Sequence, residues 1–147
     1  MSMARTLPIF DLERFVVSQD PVFDGVCAEL RAGRKTSHWM WFIFPQLQGL
    51  GRSPAAIHFG IASLAEAEAY LRHPVLGPRL RTATSLMNAI QGRSIREILG
   101  YPDDLKFRSC MTLFSRATRD NGLFVEALTK YYAGEPDPIT IQILCHK

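Results

Sequence analysis

Cysteine is scarce in this chain and never clustered. Cys27, Cys110 and Cys145 stand far apart with no CxxC pair, which removes the usual zinc and dithiol spacings. An odd number leaves at least one thiol unpaired, and a reducing compartment suits such a chain best. Histidine is equally thin. His38, His58, His73 and His146 show neither HxxxH nor HExxH spacing, so no metal site and no cofactor is expected. Long apolar runs are missing as well. The longest is seven residues, where a membrane-spanning helix needs about 20, and Met1 to Phe10 lacks the apolar segment of a signal peptide. The expectation is a cytoplasmic protein with no membrane attachment. Charge of neither sign is in great excess: 17 Lys and Arg oppose 14 Asp and Glu, for a net charge of +3. That balance permits weak attraction to phosphates without requiring it. There is no basic stripe with interleaved aromatics, so nucleic acid is not the expected partner.

What is present suits one globular domain. The 147 residues are 47% apolar and 21% charged, ordinary values for a folded chain of this length. The domain is expected over residues 11–145, with 1–10 a loose arm. Arginine outnumbers lysine thirteen to four. That could reflect coding bias or bidentate anion contacts.

Local signals divide the chain into short helices. Asp11 is placed to cap a helix over Leu12 to Gln19. Asp20-Pro21 reads as a cap with proline at the first helical position, opening a helix that Gly33 ends. Ser37 is placed to cap the next element. Ser53-Pro54 opens a helix through Ile61, and Ser63-x-x-Glu66 is a capping box heading Leu64 to Arg72. His73-Pro74 starts a helix to about Gln91, whose inward face is Leu76, Leu80, Thr84, Met87 and Ile90. Ser94-x-x-Glu97 heads a short helix ending at Gly100. Pro102-Asp103-Asp104 begins a long one to about Thr118, Leu123 to Tyr132 follows, and Asp137-Pro138 opens the last. The fold class expected is all-α: about seven to nine mostly short helices in one compact domain, not a regular four-helix bundle.

One stretch stands out, Gly33 to Ser53. Four of the fifteen aromatics, both tryptophans included, lie between His38 and Phe44. The run is apolar almost all round, so periodicity does not separate helix from strand. A helix is favoured, because a lone strand among helices leaves its backbone unpaired. A pairing with the β-branched stretch Ile139 to Leu144 is the alternative. Trp39, Phe42 and Phe44 suit the core, on which the other helices would pack. Trp41 is equally suited to stacking on a ligand.

The polar fringe of this stretch carries the candidate chemistry. Lys35 and Arg34 are candidate phosphate contacts, Arg52 a further ligand contact, Gln46 a partner for an amide or carbonyl, and His38 a general acid or base near neutral pH. The turn Gly49-Leu50-Gly51-Arg52 feeds a helix start but is not a P-loop. On the helix after Pro102, Asp104 is the candidate catalytic partner of His38, and Lys106 and Arg108 are candidate ligand contacts. Asp103 and Asp104 also suit a helix N-terminus with no catalytic role. Ser109 and Cys110 have no activating partner nearby in sequence.

The segments DLERFVVSQ, SHWMWFIFPQLQGLGRS, AEAYLRHPVLGPRL and DDLKFRSCMTLF closely resemble a bacterial family of domains of unknown function, sometimes labelled calpastatin-like. The likeness runs from about Asp11 to Leu144, and it implies an all-α fold with no established activity. Calpain inhibitors of that kind are long disordered repeats, unlike this apolar-rich chain. A fainter resemblance, through Lys106, Met111, Phe114, Asn121, Leu128 and Gly134, is to helical N-glycosidases acting on ADP-ribose-linked or phosphoribosyl compounds. Their glutamate motif has no clean counterpart before Asp103. Two functions follow as expectations. One is binding or hydrolysis of a phosphorylated, nucleotide-like or ADP-ribose-linked small molecule. The other is a non-enzymatic interaction module or homodimer.

Overall fold

Prolines and serines start half of the helices, and glycines end several of them. The computed structural model describes residues 10–146, so the expected loose arm lies, but for Phe10, outside the described residues. These residues form ten helices and no strand: α1 (Glu13–Gln19), α2 (Phe23–Arg31), α3 (Met40–Ile43), α4 (Pro54–His58), α5 (Leu64–Arg72), α6 (Leu76–Ala89), α7 (Ile95–Leu99), α8 (Asp103–Ser115), α9 (Gly122–Tyr132) and α10 (Pro138–Cys145). The fold is all-α. Both ambiguous stretches are helical, and the one β-like contact is an isolated parallel bridge between Leu47 and Ile61.

Four expected caps form as read. Ser53, Ser63, Ser94 and Asp137 accept from the amide three residues on, which satisfies a donor the helix cannot. Ser94 and Glu97 complete a reciprocal box. At the Ser63 box Glu66 instead accepts from Ala62 N, at 2.7 Å. Gly33 and Gly100 leave their helices with φ of +77° and +81°, a conformation that favours glycine.

Other boundaries differ for identifiable reasons. α1 begins after Leu12 with no side-chain cap. Asp20 is drawn into an ion pair with Arg79 at 2.9 Å, and α2 starts only at Phe23. Ser37 caps nothing: its hydroxyl donates to Glu29 at 2.6 Å, and α3 begins only at Met40 with Trp39 at the N-cap position. α4 stops at His58, since Ile61 is taken by the bridge to Leu47. α6 and α8 end short of Gln91 and Thr118.

The packing centre is α8, not the aromatic run. α8 packs against α5, α7, α9 and α10, while α6 packs against α2, α5 and α9. Phe107 and Cys110 to Phe114 are all buried, with Ser109 beside them. The short α3 packs mainly on α1. Trp39 and Phe44 are in the core, whereas Phe42 and Trp41 are half-buried. Phe107 joins the layers: its ring meets Phe44 edge-on at 4.8 Å, Tyr131 edge-on at 6.3 Å and Tyr132 tilted at 6.5 Å.

The chain between Leu47 and Ile61 leaves the body as a loop whose ends are closed by backbone bonds, Gln48 N to Ile61 O at 2.7 Å and Ile61 N to Gln46 O at 3.0 Å. Arg14 of α1 anchors its far end. Its Nε donates to His58 O at 2.8 Å, Nη2 donates to Gly60 O at 3.0 Å, and Nη1 pairs with the buried Glu66 carboxylate at 3.0 Å.

Candidate functional site

The loop just described faces α8 across a cleft of about 420 Å³, within the roughly 300–1,000 Å³ range of small-molecule sites. One wall is Leu50, Gly51, Arg52, Ser53 and Ala56. The opposite wall is Pro102, Leu105, Lys106, Arg108 and Ser109, with Asp137 and Ile139 at the start of α10. Trp41 and Gln46 complete the lining. A hollow of only about 10 Å³ shares Trp41, Gln46, Ala56 and Lys106 with it, room for about one water.

The loop wall follows from its glycines. Gly49 has φ +100°, where an L side chain is strained. A Cβ on Gly51 would come 2.7 Å from that of Ala56, so the turn lies flat on the first turn of α4. That placement sets Arg52 at the cleft. Arg52 is exposed and makes no hydrogen bond or ion pair among the described residues.

On the α8 wall, helical geometry puts Leu105 and Ser109 on one line, with Lys106 and Arg108 to either side. The Lys106 ammonium lies 4.5 Å from the Trp41 ring centre and 3.4 Å from Asp103 Oδ1. Asp103 also takes Lys35, at 2.9 Å. One carboxylate thus serves two ammonium groups, and positive charge is left over beside Trp41. Arg108 is fixed by its Nε, which donates to Glu135 O at 3.0 Å, and by stacking 5.7 Å over Tyr132. Its terminal nitrogens have no partner among the described residues. The Gln46 side chain is likewise without one.

Trp41, Gln46, Arg52, Lys106 and Arg108, picked from two distant stretches, therefore line one cleft. Lys35 does not: its ammonium is held by Asp103 and lies 5.3 Å over Trp39. His38 is exposed and lines a separate groove of about 260 Å³ with Glu29 and Trp39. Asp104 is absent from the cleft lining. Its Oδ1 accepts from Leu105 N at 3.0 Å, and its backbone carbonyl accepts from the Tyr132 hydroxyl. Hence His38 and Asp104 do not face each other across a single cleft. Burial pushes the Tyr132 hydroxyl's pKa well above the ordinary 10, with the Asp104 charge adding to it, so this phenol stays a donor.

Sequence reading passed over Asp137 and set Ser109 aside. The Ser109 hydroxyl lies 3.0 Å from Asp137 Oδ2 and 3.2 Å from Leu105 O. The two residues are 28 apart in the chain, so only packing of α10 on α8 reveals the pair. No histidine completes a nucleophilic triad there, since none lines the cleft. Among the described residues no group of three or more His, Cys, Asp or Glu is placed to hold a metal ion. No helix among them is long and apolar enough to cross a membrane.

Residues 9–144 match the family described as protein of unknown function (DUF1810). The chain belongs to this family. The chain is also similar to a solved structure, the conserved hypothetical protein Rv1873 from Mycobacterium tuberculosis, at 60% identity over 92% of this chain and 97% of that one, with a TM-score of 0.92. No curated protein matches. These comparisons agree on the fold and assign no function.

Proposed function

We propose that the cleft binds a phosphorylated, nucleotide-like small molecule. The observation that carries this is the gathering of three cations, Arg52, Lys106 and Arg108, around the half-buried Trp41 in one concave site. With Asp137 as the single carboxylate in the lining, three positive charges against one negative leave a surplus that favours an anion. Arg52 and Arg108 offer unused N–H donors in the planar geometry that suits phosphate. Trp41 supplies a stacking face, and Gln46 a donor and an acceptor for a base or amide. Leu50, Ala56, Leu105 and Ile139 give the apolar surface on which a flat ring can rest. The same reading places the protein in the cytoplasm, where three unpaired cysteines suit a reducing compartment.

A thermal-shift screen with nucleotides, sugar phosphates and ADP-ribose derivatives tests the proposal. A ligand present at 100 times its Kd stabilises the fold by about 2.7 kcal/mol. The expected result is a raised Tm that Arg52→Ala and Trp41→Ala abolish. Arg52→Ala alone should leave the stability of the unliganded protein within about 0.5 kcal/mol of the original, because surface changes without partners are near neutral. A flat response across the whole set would rule the reading out.

A second reading, an interaction module or homodimer, is favoured by one observation. Leu105 and Ile139 in the cleft lining are 50% and 56% exposed, and Tyr101 beside it is 66% exposed, which is apolar surface of the kind a partner covers. Light scattering decides it: a dimer that Leu105→Glu and Ile139→Glu dissociate would support a second copy as the occupant.

A further inference from the structure

We infer that Asp137, together with Ser109, reads hydroxyl groups on the ligand, so that the cleft takes a phosphorylated sugar or nucleotide with free vicinal hydroxyls in preference to its deoxy counterpart. This rests on the anion-binding reading of the cleft and adds to it a second, chemically opposite end.

The argument begins with the two oxygens of Asp137. Oδ2 accepts from Ser109 Oγ at 3.0 Å, Thr140 N at 3.1 Å and Thr140 Oγ1 at 2.5 Å. Oδ1 accepts from nothing among the described residues, and no cation lies within ion-pair distance of either oxygen. A helix cap accounts for Oδ2 alone. It does not account for the charge, because asparagine caps a helix as well as aspartate does. The free oxygen belongs to a half-buried residue of the cleft wall, in a lining that otherwise carries only positive charge.

Ser109 strengthens the same end. It is only 6% exposed, and its one hydroxyl proton is engaged between Leu105 O and Asp137 Oδ2. What the serine has left to offer is oxygen lone pairs. Ser109 and Asp137 together therefore present acceptors and no free donor, whereas Arg52, Lys106 and Arg108 present donors and no acceptor. A phosphate, negative and rich in acceptors, is matched by the cations and repelled by Asp137. A pair of neighbouring hydroxyls is matched by Asp137 Oδ1 and Ser109 Oγ. An ammonium group would also suit a carboxylate, but three cations line the same cleft and disfavour it. The two ends thus fix the orientation of a molecule that carries phosphate at one side and a diol at the other.

The test is calorimetric titration of the full chain with AMP, its dideoxy counterpart and adenosine, on the original protein and on Asp137→Asn. Asparagine keeps the α10 cap, so this variant should melt at the original temperature, and a circular dichroism melt checks that it does. A hydrogen bond to a charged group contributes about 1.5–3 kcal/mol, so AMP should bind about tenfold or more tighter than dideoxy-AMP. In Asp137→Asn that ratio should fall below about threefold, since an amide nitrogen in place of Oδ1 cannot accept. Equal binding of AMP and dideoxy-AMP, both tighter than adenosine, would overturn the inference while leaving the anion site standing. Failure of both phosphates to bind would overturn the inference and the reading beneath it together.

Discussion

Glu29 shows how one side chain holds the approach to the aromatic segment. Its carboxylate accepts from the Ser37 hydroxyl at 2.6 Å, the Thr36 amide at 2.7 Å, the Trp39 indole at 2.9 Å and the Ser37 amide at 3.1 Å. Burial by itself works to raise the carboxyl pKa. The four hydrogen bonds outweigh it and bring the value from the ordinary 4.5 down to about 2. Because the folded value lies below the unfolded one, Glu29 stabilises the fold fully above pH 4.5, and the contribution is lost as pH falls toward 2. Glu29→Gln should therefore lower Tm near neutral pH. The gap from the original protein should narrow steadily between pH 4.5 and 2 in melts recorded across that range. A gap that stays constant with pH would mean that the charge of Glu29 is not what holds residues 36–39. The same carboxylate draws the Ser37 hydroxyl and amide to itself, and α3 begins only at Met40, with Trp39 and not Ser37 at its N-cap position.

At the level of the helix, close approach decides where glycine is required. Gly77 sits in the first turn of α6, and a Cβ there would meet the Leu71 carbonyl oxygen at 2.1 Å. Alanine is normally favoured over glycine inside a helix by about 1 kcal/mol. At Gly77 the sign should reverse, with Gly77→Ala costing about 1–3 kcal/mol through forced separation of α5 and α6. Gly122, at the start of α9, has nothing within 4 Å of such an atom and no positive φ. Gly122→Ala should be neutral or stabilising by up to about 1 kcal/mol. Urea midpoints for the two variants check the contrast. α8 shows a different effect at the same scale. Ser109 and Thr112 are buried, and each satisfies its hydroxyl on the carbonyl four residues back, at 3.2 and 2.8 Å. Polar letters therefore sit on buried faces, and the helix reads from sequence as less central than it is.

For the molecule as a whole, α8 is where stability concentrates. Phe107 is fully buried and links α3, α8 and α9 through three ring contacts. Phe107→Ala should cost about 3–5 kcal/mol, a large part of the roughly 5–15 kcal/mol that holds a domain folded. Chemical denaturation measures it, and a loss under about 1 kcal/mol would show that the layers are held elsewhere. The cleft sits at the rim of this core. Its α8 wall is the solvent side of the most buried helix, while its other wall is a loop tied down at Leu47, Ile61 and Arg14. A rigid wall facing a loop is a common setting for a binding site.

The all-α class, most of the helices and four caps were legible in the sequence because their causes are local. Ser53, Ser63, Ser94 and Asp137 each act on an amide three residues away, and apolar spacing on α6 announces its buried face. Asp20 and Ser37 misled because contacts between elements draw their side chains elsewhere, Asp20 to Arg79 on α6 and Ser37 to Glu29 on α2. Trp41, Gln46, Arg52, Lys106 and Arg108 could be named from their chemistry alone. Their shared cleft, the sequestering of Lys35 by Asp103, and the separation of His38 from Asp104 could not. The Ser109–Asp137 pair belongs to the same category, since it exists only where α10 lies on α8. Sequence by itself determined what each short segment does with its own backbone. Tertiary structure decided which side chains meet, because the partners that win those contacts are set by packing between helices and not by spacing along the chain.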